Sequence, residues 1–164
     1  MKILKFKISV LLITVLGFAT LSSCDEGGKP DAGGTNMAKY AGDWYISLSD
    51  PDGPIVDHAL HSTYNTAAND NTMWIDDHQN GYYLKCKVTV DMDNGTFTAT
   101  DAPNVIDAGT VTITDGKIIK NGGHSRGGHV VDSIYFKAHF SYDDPGYDIT
   151  YGGHKRTGFL EDEY

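Results

Sequence analysis

The chain has 164 residues, with 22 Asp and Glu against 13 Lys and Arg, and 40% of its residues are hydrophobic. That is one globular domain's worth of chain. Lys2, Lys5 and Lys7 are the only charged residues before Cys24, so the remainder carries ten bases against 22 acids, a formal charge of −12. Such a surface repels a phosphate backbone, and no run of Lys or Arg exists to release counterions, so nucleic-acid binding is excluded as a function class.

Residues 1–23 read as a secretion signal. A basic start is followed by an apolar stretch from Ile8 to Ala19 and then by small residues ahead of Cys24. Leu21, Ser22, Ser23 and Cys24 resemble the lipobox of bacterial lipoproteins, in which the cysteine thiol is acylated and becomes the first residue of the mature protein. Each buried CH₂ of an acyl chain contributes about 0.8 kcal/mol, so a multiply acylated Cys24 is a stable anchor where a single chain is marginal. The expected location is a bacterial cell envelope, lipid-anchored at the outer membrane. Asp25 and Glu26, directly after the cysteine, resemble signals that carry some lipoproteins to the cell surface. Residues 24–37 are acidic and Gly-rich and read as a flexible tether. With Cys24 taken by lipid, Cys86 has no partner for an intrachain disulfide.

The body, residues 38–164, is patterned with period two. Tyr82, Leu84, Cys86, Val88 and Val90 alternate with polar residues, which predicts a half-buried strand with Cys86 inside. Asn94 and Gly95 then turn the chain into a strand beginning at Thr96. Thr110–Thr114, Asp115-Gly116 and Lys117–Lys120 read as a second hairpin. Alternation from Ile134 to Phe140, the breaker Asp143-Asp144-Pro145-Gly146, and a last strand from Tyr147 to about Tyr151 follow. Asp43–Leu48 and Met73–Asp76 are earlier short strands, and no stretch of the body has the period of an amphipathic helix. The expected fold is all-β: an up-and-down antiparallel barrel of about eight to ten strands, favoured over a two-sheet sandwich because the connections read as successive hairpins and closure removes exposed edges.

Gly123-His124-Ser125-Arg126-Gly127 fits the G-x-S-x-G nucleophile elbow, but that motif works only between a strand before it and a helix after it, and neither is expected here. Ser125 is therefore read as a loop serine; it, Asp76, Asp77 and the histidines are weak catalytic candidates, and no two of them can be placed together from the sequence. The seven histidines, including the repeated Gly-Gly-His at 122–124, 127–129 and 152–154, read as surface or loop residues, so no metal and no cofactor are expected. The segment from Asp91 starts like a calcium loop but has Thr96 where glycine is required and Ala102 where the closing acid is required. In a closed barrel the first and last strands are neighbours, so Trp44 and Arg156 are expected to meet, the guanidinium stacking on the indole. A functional version has Arg156 reaching inward with Tyr82 or Tyr135 to orient the carboxylate of an apolar ligand.

Tyr40-Ala41-Gly42-Asp43-Trp44-Tyr45, Tyr64–Ala67, Met73–Asp77, Gly153–Phe159 and the acidic end Glu161–Glu163 resemble, across nearly the whole mature chain, a family of small bacterial lipoproteins labelled lipid-binding putative hydrolases. Gly42-Asp43-Trp44 also resembles the G-x-W opening of lipocalins, with Arg156 in the place of their late arginine. The resemblance implies a lipocalin-like barrel that binds a lipid or another small hydrophobic ligand; it supplies no catalytic residue. Two other functions compete with ligand binding: hydrolysis of an ester or amide, and a cell-surface adaptor that binds protein or glycan.

Overall fold

The computed structural model describes residues 34–164; the expected signal segment and Cys24 lie outside them. Eight antiparallel strands form a closed barrel in chain order: β1 (Gly42–Asp50), β2 (Gly53–Asn65), β3 (Thr72–Asp76), β4 (Lys85–Asp91), β5 (Thr96–Pro103), β6 (Thr110–His124), β7 (Val130–Phe140) and β8 (Ile149–Lys155). The only helical element among the described residues is a 3₁₀ turn at Leu160–Asp162. The up-and-down barrel expected from the alternation is the fold, and the sandwich is not.

Closure runs through β1 and β8, with Trp44 opposite Lys155, Ile46 opposite Gly153 and Leu48 opposite Tyr151. Directly opposed residues share a face, so Trp44, Ile46 and Leu48 point inward with Tyr151. Met73 and Ile75, Cys86, Val88 and Val90, Val111 and Ile113, and Phe136, Ala138 and Phe140 complete the interior, each 2% exposed or less. Burial pushes the Cys86 thiol up to about 12, as expected of a cysteine used as a small hydrophobe.

Asp115-Gly116 corrects the sequence reading. These residues do not turn a hairpin; they form a bulge within the single strand β6. The interior positions run Val111 and Ile113, then Gly116 and Ile118, so the extra residue resets the alternation. Asp115 takes the left-handed φ of 55°. At Gly116 any Cβ would lie 2.3 Å from the Phe97 carbonyl oxygen, so β5 can approach only a glycine. Strand β2 is the element with no prediction behind it. Pro54, Asp57 and a left-handed His58 (φ 50°) break its first half, and regular alternation begins only at His61 and Thr63. Tyr82 and Tyr83 fall outside β4, in the loop before it.

Strand direction separates the two ends. One end carries the 66–71, 92–95 and 125–129 connections and is closed by residues 35–41. Asn36 and Met37, which fall within the expected tether, belong to this plug: Asn36 pairs with Asn69 through bonds of 2.7 and 2.9 Å, and Met37 is 1% exposed. Tyr40 donates to the Met92 carbonyl, while Thr63 donates to the Tyr40 carbonyl and accepts from the Trp44 indole N–H at 2.8 Å. The other end carries the 51–52, 77–84, 104–109 and 141–148 connections.

The seam between β1 and β8 leaves no room at Gly153, where a Cβ would sit 2.1 Å from the Tyr45 carbonyl oxygen and 2.8 Å from the Ile46 Cα. At Gly152 the nearest atom would be 3.9 Å away. Gly153→Ala is therefore expected to destabilise the fold by more than about 3 kcal/mol, and Gly152→Ala by less than about 1 kcal/mol. Thermal unfolding of the two variants measures the difference.

Candidate functional site

Period-two alternation places adjacent acids on opposite faces at the end of β3. Asp76 points outward and Asp77 inward. Asp77 is fully buried, and inside the barrel it meets His61 from β2 and Tyr151 from β8, exposed by 1% and 0%. Each of the three keeps one polar atom without a partner: Asp77 Oδ2, His61 Nε2 and the Tyr151 hydroxyl. An unpaired buried group costs about 1–3 kcal/mol, so such a concentration is unusual in a folded interior.

The remaining contacts fix what each atom can do. His61 Nδ1 lies 2.9 Å from the Ala59 carbonyl oxygen, which only accepts, so Nδ1 carries the hydrogen. Burial lowers the His61 pKa and keeps the ring neutral, which leaves Nε2 as a bare acceptor. Asp77 Oδ1 accepts the Gln79 amide at 2.9 Å, and Oδ2 is a second acceptor. Desolvation holds Tyr151 far above its usual pKa, so its hydroxyl stays protonated and can donate or accept. The Tyr151 ring is fixed by stacking on Phe136 at 4.3 Å and by the edge of His61 at 6.0 Å.

The 77–84 loop covers this cluster. Its Gly81 approaches so closely that a Cβ there would lie 3.0 Å from Asp77 Oδ2, 3.1 Å from Leu48 Cδ2 and 3.2 Å from His61 Nε2. His78, Gln79 and Tyr83 in this loop adopt left-handed φ values of 52°, 62° and 55°, a strained choice for residues with side chains. Besides the bond of 2.7 Å between His78 Nε2 and Ser62 Oγ, two latches hold the loop down. Tyr82 packs on Phe140 at 5.0 Å and donates to Asp143 at 3.2 Å, and Asn104 donates to the Tyr83 carbonyl at 2.8 Å. Beside the first latch a cleft of about 290 Å³ is lined by Tyr82, Tyr142, Asp143, Asp144 and Tyr147. Below the loop the barrel interior is filled by its own side chains.

The other expected site residues sit elsewhere. Trp44 is buried at the plugged end, but the cation over its ring is Lys155, at 5.7 Å. The register explains this: Lys155 is opposite Trp44 and faces inward, and Arg156, one residue on, turns outward. There Arg156 binds Glu163 through bonds of 2.8 and 2.9 Å and lies 4.0 Å from Asp43, so it does not reach into the barrel. Tyr135 is also on the outer face, with Lys117 5.3 Å from its ring. Tyr82 is at the loop-covered end and belongs to the latch. Asp76, on the outside, is paired with Lys85 at 2.7 Å and accepts from Tyr64 at 2.8 Å. These partners hold its carboxyl below the usual range against the desolvation that opposes them.

Ser125 is joined by residues the sequence did not connect to it. His129 Nδ1 lies 3.4 Å from Ser125 Oγ and 2.9 Å from Asp162 Oδ2. A serine triad needs one imidazole nitrogen on the serine and the other on the acid, whereas here Nδ1 faces both. Ser125 Oγ also accepts the His129 amide at 3.0 Å, and a turn rather than a helix follows. The arrangement fastens the C-terminal segment to the 125–129 turn. Asp162 gathers Thr157 Oγ1 and the Gly127 amide, both at 2.6 Å.

These bonds hold the Asp162 carboxyl well below its usual value, outweighing the desolvation that acts against them. A carboxyl with a depressed folded pKa contributes stability that is complete above about pH 4 and is lost as pH falls toward the folded value. Asp162→Asn is thus expected to melt lower than the parent at pH 7 and to show a shallower fall in Tm between pH 4 and pH 2. Equal pH slopes for the two proteins contradict this role.

The chain can now be placed among known proteins. No curated protein matches it. The family described as lipid-binding putative hydrolase matches residues 29–160, a span that contains all eight strands, the 77–84 loop and the three interior polar residues. The chain belongs to the family of lipid-binding putative hydrolases.

Proposed function

We propose that this protein is a bacterial lipoprotein, held at the outer membrane by acylated Cys24, that takes up a lipid or another small hydrophobic ligand through the barrel end covered by the 77–84 loop. Family membership and the barrel support lipid binding. The observation that carries the location is the loop itself. It is strained at three residues and held by the His78–Ser62 bond, by the Tyr82 contacts with Phe140 and Asp143 and by the Asn104 bond, and a Cβ on its Gly81 would lie against the unpaired interior atoms. Segments that must open are drawn from the less stable parts of a fold. Because the interior is packed, the acyl chain requires the loop and Tyr82 to move aside, which exposes Phe140 as an apolar wall beside the already exposed Tyr142.

The anchoring reading rests on the lipobox-like run Leu21-Ser22-Ser23-Cys24. Hydrolysis is the weaker reading, because Ser125 is committed to its turn. Arg156 orienting a carboxylate is not retained.

Two measurements test the proposal. Cys24→Ser is expected to shift the protein from the membrane fraction to the soluble fraction of its host; retention in the membrane contradicts the anchor. Native mass spectrometry of the gently extracted protein is expected to show an apolar adduct of a few hundred daltons that diminishes in Tyr82→Ala. An adduct-free protein that also fails to take up added C12–C18 lipids contradicts the ligand reading.

A further inference from the structure

We infer that His61, Asp77 and Tyr151 form a headgroup site that selects a single-chain lipid with an uncharged, hydroxyl-bearing head over a fatty acid. The inference rests on the lipid-binding reading above and names the ligand class for that same end of the barrel.

The selectivity follows from the unpaired atoms. His61 Nε2 and Asp77 Oδ2 accept, and the Tyr151 hydroxyl can donate as well as accept. A glycerol head carrying two free hydroxyls matches this set, since each hydroxyl can donate to one acceptor and one can also receive the Tyr151 proton. A carboxylate head only accepts, so it would set lone pairs against His61 Nε2 and Asp77 Oδ2. Sites built to bond a hydroxyl discriminate strongly against partners that leave buried groups unpaired.

A carboxylate would also need a cation, and Arg156, Lys155 and Lys85 are engaged elsewhere. Arg156 is outside on Glu163, Lys155 lies over Trp44 at the plugged end, and Lys85 is on the outer face with Asp76. Gly81 is the gatekeeper, because even a Cβ at this position would lie 3.0 Å from Asp77 Oδ2 and 3.2 Å from His61 Nε2, so the loop must withdraw before a head can reach them.

The test is calorimetric titration of the full-length protein with 1-monolauroylglycerol and, separately, with laurate. The expected result is at least about tenfold tighter binding of the monoacylglycerol. Tyr151→Phe removes a hydroxyl that has no protein partner, so its Tm is expected to be unchanged or raised. Its monoacylglycerol affinity is expected to fall about tenfold. Asp77→Asn, of the same shape, introduces a donor and is expected to narrow the preference. Equal affinities, tighter laurate binding, an unchanged monoacylglycerol affinity in Tyr151→Phe, or an unchanged preference in Asp77→Asn would overturn the headgroup assignment while leaving lipid binding intact. If neither ligand binds, the lipid-binding reading fails and this inference with it.

Discussion

The pairing of β1 with β8 turns a ribbon of hairpins into a closed surface with an inside and an outside. Closure fixes the facing of every residue, because a one-residue shift would exchange the two faces of a strand. Consecutive residues therefore acquire unrelated roles. Asp76 joins an outer-surface ion pair and Asp77 is sealed in the interior; Lys155 covers Trp44, and Arg156 ties down the C-terminal segment. Gly153 sits at this seam because only glycine lets the two backbones meet.

The closed interior is apolar almost throughout, which gives its polar exceptions their meaning. At the plugged end, Trp44, Thr63 and the Tyr40 carbonyl form a connected set in which each member is satisfied, as expected of a structural network. At the other end, His61, Asp77 and Tyr151 each hold an unpaired atom beneath a loop with three residues in left-handed conformations. This contrast within one molecule is the observation from which the headgroup site is proposed.

Much of the fold was legible in the residue order because a barrel strand advertises itself by alternation: β4, β7 and the Asn94-Gly95 turn are placed by pattern alone. Asp115-Gly116 misled because the same dipeptide chemistry serves a bulge and a hairpin turn, and only the distant β5 backbone, crowding Gly116, decides between them. Strand β2 was hidden by Pro54 and His58, and with it His61, which reads in the sequence as a surface or loop residue like the other histidines and is in fact a buried strand residue. The alternation of Met73 and Ile75 with their neighbours carried the facing of Asp77, so that residue was within reach. Tyr151 was visible as a strand residue but not as a partner, because its meeting with Asp77 and His61 depends on closure across eight strands. Contrary to the reading of the sequence, a strand does precede Ser125, since β6 runs to His124, while a turn and not a helix follows; its contacts with His129 and Asp162 arise from a C-terminal return that no local signal announces.

The account turns on whether a lipid head occupies the space that Gly81 now closes. A crystal structure of the protein with bound 1-monolauroylglycerol tests this most directly. The account predicts head oxygens within hydrogen-bonding distance of His61 Nε2, Asp77 Oδ2 and the Tyr151 hydroxyl, with the 77–84 loop displaced. A lipid bound on the outer wall or at the plugged end, with that loop unmoved and the three atoms still unpaired, would contradict it.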